Sequence, residues 1–138
     1  MSPLYLCADG RELYKGEISR HHVISERRWY RTPTEKDFRG MGGFVIKLAN
    51  HHHRELHANV PPPPKPNPDL MRDIYLHSRV REYTTQTDLF LQIVNYVELV
   101  AENNRNQQHV EDATGLAANL RLQQPFILEG AVDLRMVA

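Results

Sequence analysis

The sequence has only one cysteine, Cys7, among its 138 residues. A single cysteine cannot form an internal disulfide or supply a zinc ribbon, so we expect a reducing compartment and metal ligands drawn from histidine and carboxylate side chains. The sequence also lacks the basic and apolar regions of a signal peptide, and no apolar run approaches the ~20 residues that a bilayer span requires. These absences predict a soluble, cytoplasmic protein without membrane contact.

The sequence has no net charge, because 17 basic side chains are balanced by 17 acidic ones. The charges are unevenly distributed along the chain. Residues 1–72 contain 12 Lys and Arg and 8 Asp and Glu, whereas residues 73–138 contain 5 Lys and Arg and 9 Asp and Glu. A basic first half fits a polyanionic partner, and it fits ordinary surface charge equally well. The acidic second half argues against nucleic-acid binding along the whole chain.

Six of the nine prolines are concentrated in residues 61–70, PPPPKPNPDL. Proline has no N–H to donate, so this composition is typical of an extended polyproline II spacer, with a docking motif for an SH3-like partner as the alternative. We therefore predict an α+β fold in three parts. These are a mixed unit over residues 1–60, a spacer over residues 61–68 and a mainly helical region over residues 69–138.

Short strands are predicted before the spacer. Residues 4–18 predict a hairpin, because alternating apolar residues lead into the turn signal Asp9-Gly10. Residues 43–48, GFVIKL, are apolar and β-branched and follow a glycine, which predicts a second strand. The segment between these two elements reads as extended and loop-like.

Capping residues predict two helices around the spacer. Asn50 is a good N-cap for a short helix over residues 51–58, which must end before the prolines. Asn67 is the N-cap expected for a helix over residues 67–83, with Pro68 at its first position.

The C-terminal part has further helical patterns. A dense apolar set over residues 89–100, with Thr87 or Asp88 as its cap, predicts a helix too apolar to stand alone in water. We expect it to pack on neighbouring helices, on the first half of the chain or on another copy. Residues 110–122 predict a weaker helix, and residues 125–138 fit either a terminal strand or a packed tail.

Four of the eight histidines fall within residues 51–57, HHHRELH. Residues i and i+4 of a helix lie on one face. Among these histidines, only His53 therefore has the spacing needed to bind the same metal ion as His57. A solvated polar face is the alternative. Upstream, His21 and His22 are adjacent, and neighbours in a strand point to opposite sides, so one can face a metal while the other faces a substrate.

These motifs resemble those of the HNH (ββα-metal) endonuclease family, in the histidine-rich form found in phage enzymes and bacterial nuclease toxins. HHVI is similar to the family's first motif and HRELH to its last, and the resemblance covers about residues 4–58. It implies a small ββα-metal unit at the N-terminus. It also implies that His22 is the general base and that one divalent ion is bound by His21, His53 and His57.

The resemblance implies a metal-dependent endonuclease of phage or bacterial origin that hydrolyses phosphodiester bonds of DNA in the cytoplasm, or in the host cytoplasm if phage-encoded. Imidazole, with an ordinary pKa near 6.5, suits the role of base at physiological pH. The ion is Mg²⁺, Mn²⁺, Zn²⁺ or Ni²⁺, and all-nitrogen ligation favours the last three. Basic side chains near the motifs are the candidates for contacts with DNA phosphates: Arg20, Arg27, Arg28, Arg31 and Arg54.

Two other functions stay open. The family's central Asn, which orients the base, corresponds here to Phe44, and this favours a weakly active or inactive HNH fold. In that case residues 69–138 would bind a protein partner, such as a host or packaging factor, or form a homodimer. The third alternative is a closed structural zinc site whose ligands are His21, His22, His53 and His57.

Overall fold

The computed structural model describes residues 4–24, 45–78 and 85–135, and these form the mixed α+β fold that the sequence predicts. The strands are β1 (Leu4–Cys7), β2 (Glu12–Leu13), β3 (Ile18–His22), β4 (Val45–Ala49) and β5 (Val132–Arg135). The helices are α1 (Asn50–Asn59), α2 (Pro68–Ser78), α3 (Gln86–Asn103) and α4 (Gln107–Gly130). Strands β1 to β4 therefore come first, the helices follow, and β5 comes after the last helix.

The strands form two small antiparallel sheets. One has the order β2-β1-β5, so the last strand of the chain returns to pair with the first. The predicted hairpin is confirmed: β1 and β2 are joined by a turn in which Gly10 has φ 98°, a backbone conformation that glycine adopts without strain. The other sheet is the pair β3 and β4, and an isolated bridge between Leu48 and Ala131 connects the two sheets.

The pair β3 and β4 leads directly into α1. The strand predicted over residues 43–48 is confirmed at Val45–Ala49, and its partner strand carries both upstream histidines. The predicted cap was wrong, because Ala49 is the N-cap and has no side chain to fill that role. Asn50 is already helical, and its amide instead accepts from the Ser19 hydroxyl and donates to the Gly16 carbonyl. The start of α1 is thus tied to the beginning of β3.

The caps of the next two helices differ in their outcome. Asn67 caps α2 as predicted, since its Oδ1 accepts from the Leu70 amide at 2.9 Å. The predicted cap of α3 was wrong by two or three residues, because it is Thr85 that accepts from the Asp88 amide at 3.0 Å. The predicted burial of the apolar face of α3 is confirmed. The buried residues are Phe90, Ile93, Val94, Val97 and Val100.

Helix α4 is longer than the sequence suggested, because it passes through Pro125 and ends at Gly130. Proline removes one backbone hydrogen bond from a helix interior. The turn beyond it packs nevertheless, with Ile127 fully buried in the core and Phe126 packed against it. Of the two alternatives for the C-terminus, residues 132–135 form the strand.

The main core contains residues from both sides of the proline-rich segment, including Ile46 and Leu56 before it and Phe90 and Leu120 after it. The segment itself is tied to α4 at both ends. Asn119 donates to the Pro61 carbonyl, and Asn67 donates through its backbone and its side chain to Asp112. The division of the chain into three parts stays a prediction.

Among the described residues, none of the helices has the length and apolarity needed to cross a membrane.

Candidate metal centre

Three histidines from two elements meet beside β3 and α1. Ring centroids lie 5.1 Å apart for His21 and His53, 5.4 Å for His21 and His57, and 4.5 Å for the helical pair. The Nε2 atoms of His53 and His57 are 2.8 Å apart, and one ring nitrogen from each of the three residues falls within 4.8 Å of the others. The structure therefore brings together the three side chains that the sequence motifs single out as ligands.

The three rings span the boundary between core and solvent. His21 is 3% exposed, His53 is half-buried and His57 is exposed. The i, i+4 spacing on α1 places the two helical rings one turn apart, and β3 supplies the third ring from the interior. One side of the group is held rigidly, and the opposite side is open to solvent.

Gln123 of α4 determines which nitrogen of His21 can bind an ion. Its Nε2 donates to the Val23 carbonyl at 2.9 Å and to Asn119 Oδ1 at 2.7 Å, so its Oε1 must be the atom that faces the ring of His21. That oxygen lies 2.7 Å from His21 Nε2, which must carry the proton, since an amide oxygen only accepts. The lone pair of neutral His21 is therefore on Nδ1, a buried atom without a hydrogen-bond partner among the described residues.

The electrostatics keep the inner rings neutral. Burial lowers the pKa of His21 to about 4, the hydrogen bond with Gln123 offsets part of that shift, and the neighbouring histidines add to it. Burial also lowers the pKa of His53, with further contributions from His57 and His22. Neutral imidazoles are the form that binds metal ions. An unpartnered nitrogen lone pair beside two more imidazoles fits a divalent ion with one face left open.

The remaining predicted residues occupy different positions. A cleft of about 460 Å³ opens over the centre, and its walls include Arg20, His22 and the first three prolines of the spacer. Arg54 is exposed on α1 and is not among the residues that line the cleft. Other predicted positions lie outside the described residues: Arg27, Arg28, Arg31 and Phe44.

His22 is adjacent to the centre without joining it. It pairs with Val45 across the sheet and is half-buried, and it lines the same cleft as His21. Among the described residues, the group of three ring nitrogens within 4.8 Å of one another comes from His21, His53 and His57. The alternation along β3 thus separates the two adjacent histidines into an inner one and one beside the opening.

Sequence reasoning missed two features of this region. Gln123 was not singled out, although a buried amide amid Leu120 and Ile127 on one face of a helix is a signal for a specific polar partner. A second group, made of Cys7, Asp9 and His52, was also missed. Its members come from the hairpin and from α1, and no spacing rule connects them.

Comparisons of the chain with protein-family models, with curated proteins and with solved structures found no match.

Proposed function

We propose that this protein is a metal-dependent endonuclease of the HNH type that hydrolyses phosphodiester bonds of DNA. The observation that carries the proposal is the convergence of His21, on a strand, with His53 and His57, on a helix. This meeting takes place in a cleft that His22 also lines. The order of strand, strand and helix, with its two histidine motifs, is the one that the family resemblance implies.

A divalent ion held by His21, His53 and His57 would stabilise the negative charge that develops on a scissile phosphate. His22 would accept a proton from the attacking water, because it lines the cleft beside the centre. By accepting the hydrogen bond from Nε2, Gln123 would leave Nδ1 of His21 as the nitrogen that can bind the ion. The division of labour between adjacent histidines follows from the alternation of side chains along β3.

The cleft also has features that suit a polyanionic substrate. Arg20 lies on its wall, and a guanidinium group binds phosphate oxygens with two parallel hydrogen bonds. Its lining also includes Pro61, Pro62 and Pro63, which offer an apolar surface to a sugar or a base. The excess of basic residues in positions 1–72 would also attract a polyanionic substrate.

The decisive experiment is plasmid cleavage by the full chain with Mg²⁺, Mn²⁺, Zn²⁺ or Ni²⁺, each with and without EDTA. We expect cleavage that depends on the ion. His22→Ala should lower the rate by ~10²–10⁴ while metal affinity, measured by calorimetry, stays within about twofold, because a base activates water without being a ligand. His57→Ala should lose both activity and tight metal binding.

The matched control is His109→Ala, which removes an imidazole from the N-terminal turn of α4, outside the cleft. It should change neither quantity. Equal loss of metal in the His22 and His57 variants would favour the closed four-histidine site instead. An inactive wild type that still binds the ion would favour the alternative of an HNH-like module that binds a protein partner.

A further inference from the structure

A second cluster of ligating side chains lies where the β1–β2 hairpin meets the first turn of α1. One donor atom each from Cys7, Asp9 and His52 falls within 4.8 Å of the others. His52 Nε2 is 3.0 Å from Asp9 Oδ2, and His51 Nε2 is 3.8 Å from the same oxygen. Cys7 is 1% exposed and His52 is 7% exposed, so two of the three donors are buried.

We propose that Cys7, Asp9 and His52 form a second metal site, structural in role, that binds a thiophilic divalent ion such as Zn²⁺. Thiolate, carboxylate and imidazole are the three ligand types that zinc takes in proteins, at ~2.0–2.3 Å, which places donors of a tetrahedral site ~3.5 Å apart. Donors already within 4.8 Å reach that spacing through small side-chain adjustments. His51 or water completes the coordination.

The backbone around the cluster is held in place before any ion binds. Within the turn, the Cys7 amide donates to the Arg11 carbonyl at 2.8 Å and the Gly10 amide donates to the Cys7 carbonyl at 2.9 Å. On the other side, His52 packs so closely on α4 that a Cβ added to Gly130 would lie 2.5 Å from the Cβ of His52. A preformed ligand set reduces the ordering that binding requires.

The competing explanation is that the hydrogen bond between Asp9 and His52 joins the hairpin to α1 without an ion. In that explanation the thiol donates to the Glu129 carbonyl at 3.3 Å and also interacts with the Asp9 carboxylate. The two explanations differ in the protonation of the thiol. Burial raises the pKa of Cys7, so the thiol keeps its proton at neutral pH in the absence of a cation, and binding of the ion would release that proton.

The two centres should prefer different ions. A thiolate selects Zn²⁺, Co²⁺ or Cd²⁺ over Mg²⁺ or Mn²⁺, whereas the three-histidine centre discriminates less strongly against Mn²⁺. The proposed role of the second site is to hold the hairpin against α1. His53, the residue after His52 in this helix, belongs to the proposed catalytic centre. Because the second site rests on different residues, it stands or falls independently of the nuclease activity.

The test uses the full chain, stripped of metal and titrated with Co²⁺ while the absorption spectrum is recorded. Cys7 is the only cysteine in the sequence, so a sulfur-to-cobalt charge-transfer band in the near ultraviolet can come from no other residue. We expect that band in the wild type and in His57→Ala, and its loss in Cys7→Ser. Zinc content after gel filtration should be two ions for the wild type and one for each variant.

Absence of the band in the wild type would overturn the proposal. This result needs only the wild-type protein, so it does not depend on whether a variant folds. Equal zinc content in Cys7→Ser and the wild type would also overturn it. If Cys7→Ser fails to fold, as judged by circular dichroism, Asp9→Asn replaces it, since the amide oxygen still accepts from His52 while the charge needed for zinc is removed. Mg²⁺-dependent plasmid cleavage by the variants separates this site from the nuclease proposal.

Discussion

The amide of Gln123 makes three hydrogen bonds inside the core, and each has a fixed direction. Its two N–H groups are taken by the Val23 carbonyl and by Asn119, so only its oxygen is left for His21. A residue 102 positions away in sequence thereby selects the tautomer of an inner ligand. In the proposed metal centre, Gln123 would be a positioning residue, because it would act on the ion only through His21.

Replacement of Gln123 by methionine should weaken metal binding by ~10–100-fold, the usual effect of removing the partner that orients a histidine ligand. It should also lower the free energy of unfolding by ~1–3 kcal/mol, because buried polar groups lose their partners. Calorimetric titration with Zn²⁺ and urea unfolding measure the two effects.

The matched control is Gln124→Met, which changes the neighbouring amide that accepts from Arg121 on the protein surface. Its affinity for Zn²⁺ should equal that of the wild type. A Gln123→Met protein that is less stable but binds Zn²⁺ with wild-type affinity would contradict the positioning role and leave Gln123 as a purely structural residue.

At the scale of elements, the contact between α1 and α4 decides the geometry of both proposed metal sites. Helix α1 carries His52, His53 and His57, and α4 supplies both Gln123 and the glycine that His52 packs on. A side chain at Gly130 would occupy the space of His52, so the absence of a Cβ there allows the close approach. Packing of this kind tolerates little added volume.

Gly130→Ala should therefore destabilise the protein by ~1–3 kcal/mol, the typical cost of overpacking a core. Gly115 lies in the same helix, where an added Cβ would make only an ordinary 3.8 Å contact with Pro64. Gly115→Ala should stabilise the protein by ~0.5–1 kcal/mol, because alanine is the better helix former. Urea unfolding of both variants checks the pair, and an equal effect of the two changes would refute the packing argument.

At the scale of the whole molecule, burial of titratable groups should make the metal-free protein sensitive to acid. Burial lowers the pKa of His21 from 6.5 to about 4, so between these pH values the unfolded chain binds more protons than the folded one. Asp9 acts at lower pH: its burial raises its pKa, but hydrogen bonds from His52 and Arg11 outweigh that effect and lower it from 3.8 to about 2. Because both pKa values are lowered, both groups make the folded state more stable at neutral pH than in acid.

The contribution of His21 should be fully present above pH 6.5 and should fall as the pH falls toward 4, by about 3 kcal/mol in total. Urea midpoints measured in EDTA across this range test the expectation. His21→Gln should flatten the dependence on pH, whatever its own stability, because glutamine does not titrate. A wild-type midpoint that stays constant from pH 7 to pH 4 would show that His21 is not buried in its neutral form.

Local patterns in the sequence determined much of this protein. The turn signal at Asp9-Gly10 formed its hairpin, Asn67 capped its helix, and the i, i+4 spacing placed His53 and His57 on one face. Each of these features depends on a few consecutive residues, whose geometry follows from the backbone alone. The α+β class could be predicted for the same reason. The cap of α3 was missed because neighbouring polar residues compete for one position. The cap of α1 was missed because the Asn50 side chain bonds to Ser19 and Gly16 instead.

Only the tertiary structure decided which distant side chains meet. His21 reaches α1 because β3 pairs with β4 in a particular register, and Gln123 reaches His21 because α4 continues beyond Leu122 and packs against the core. The contact of Cys7 with His52 needs the hairpin to pack on the start of α1. No periodicity encodes such meetings, because they depend on which apolar faces pack together, a choice that the whole core makes at once.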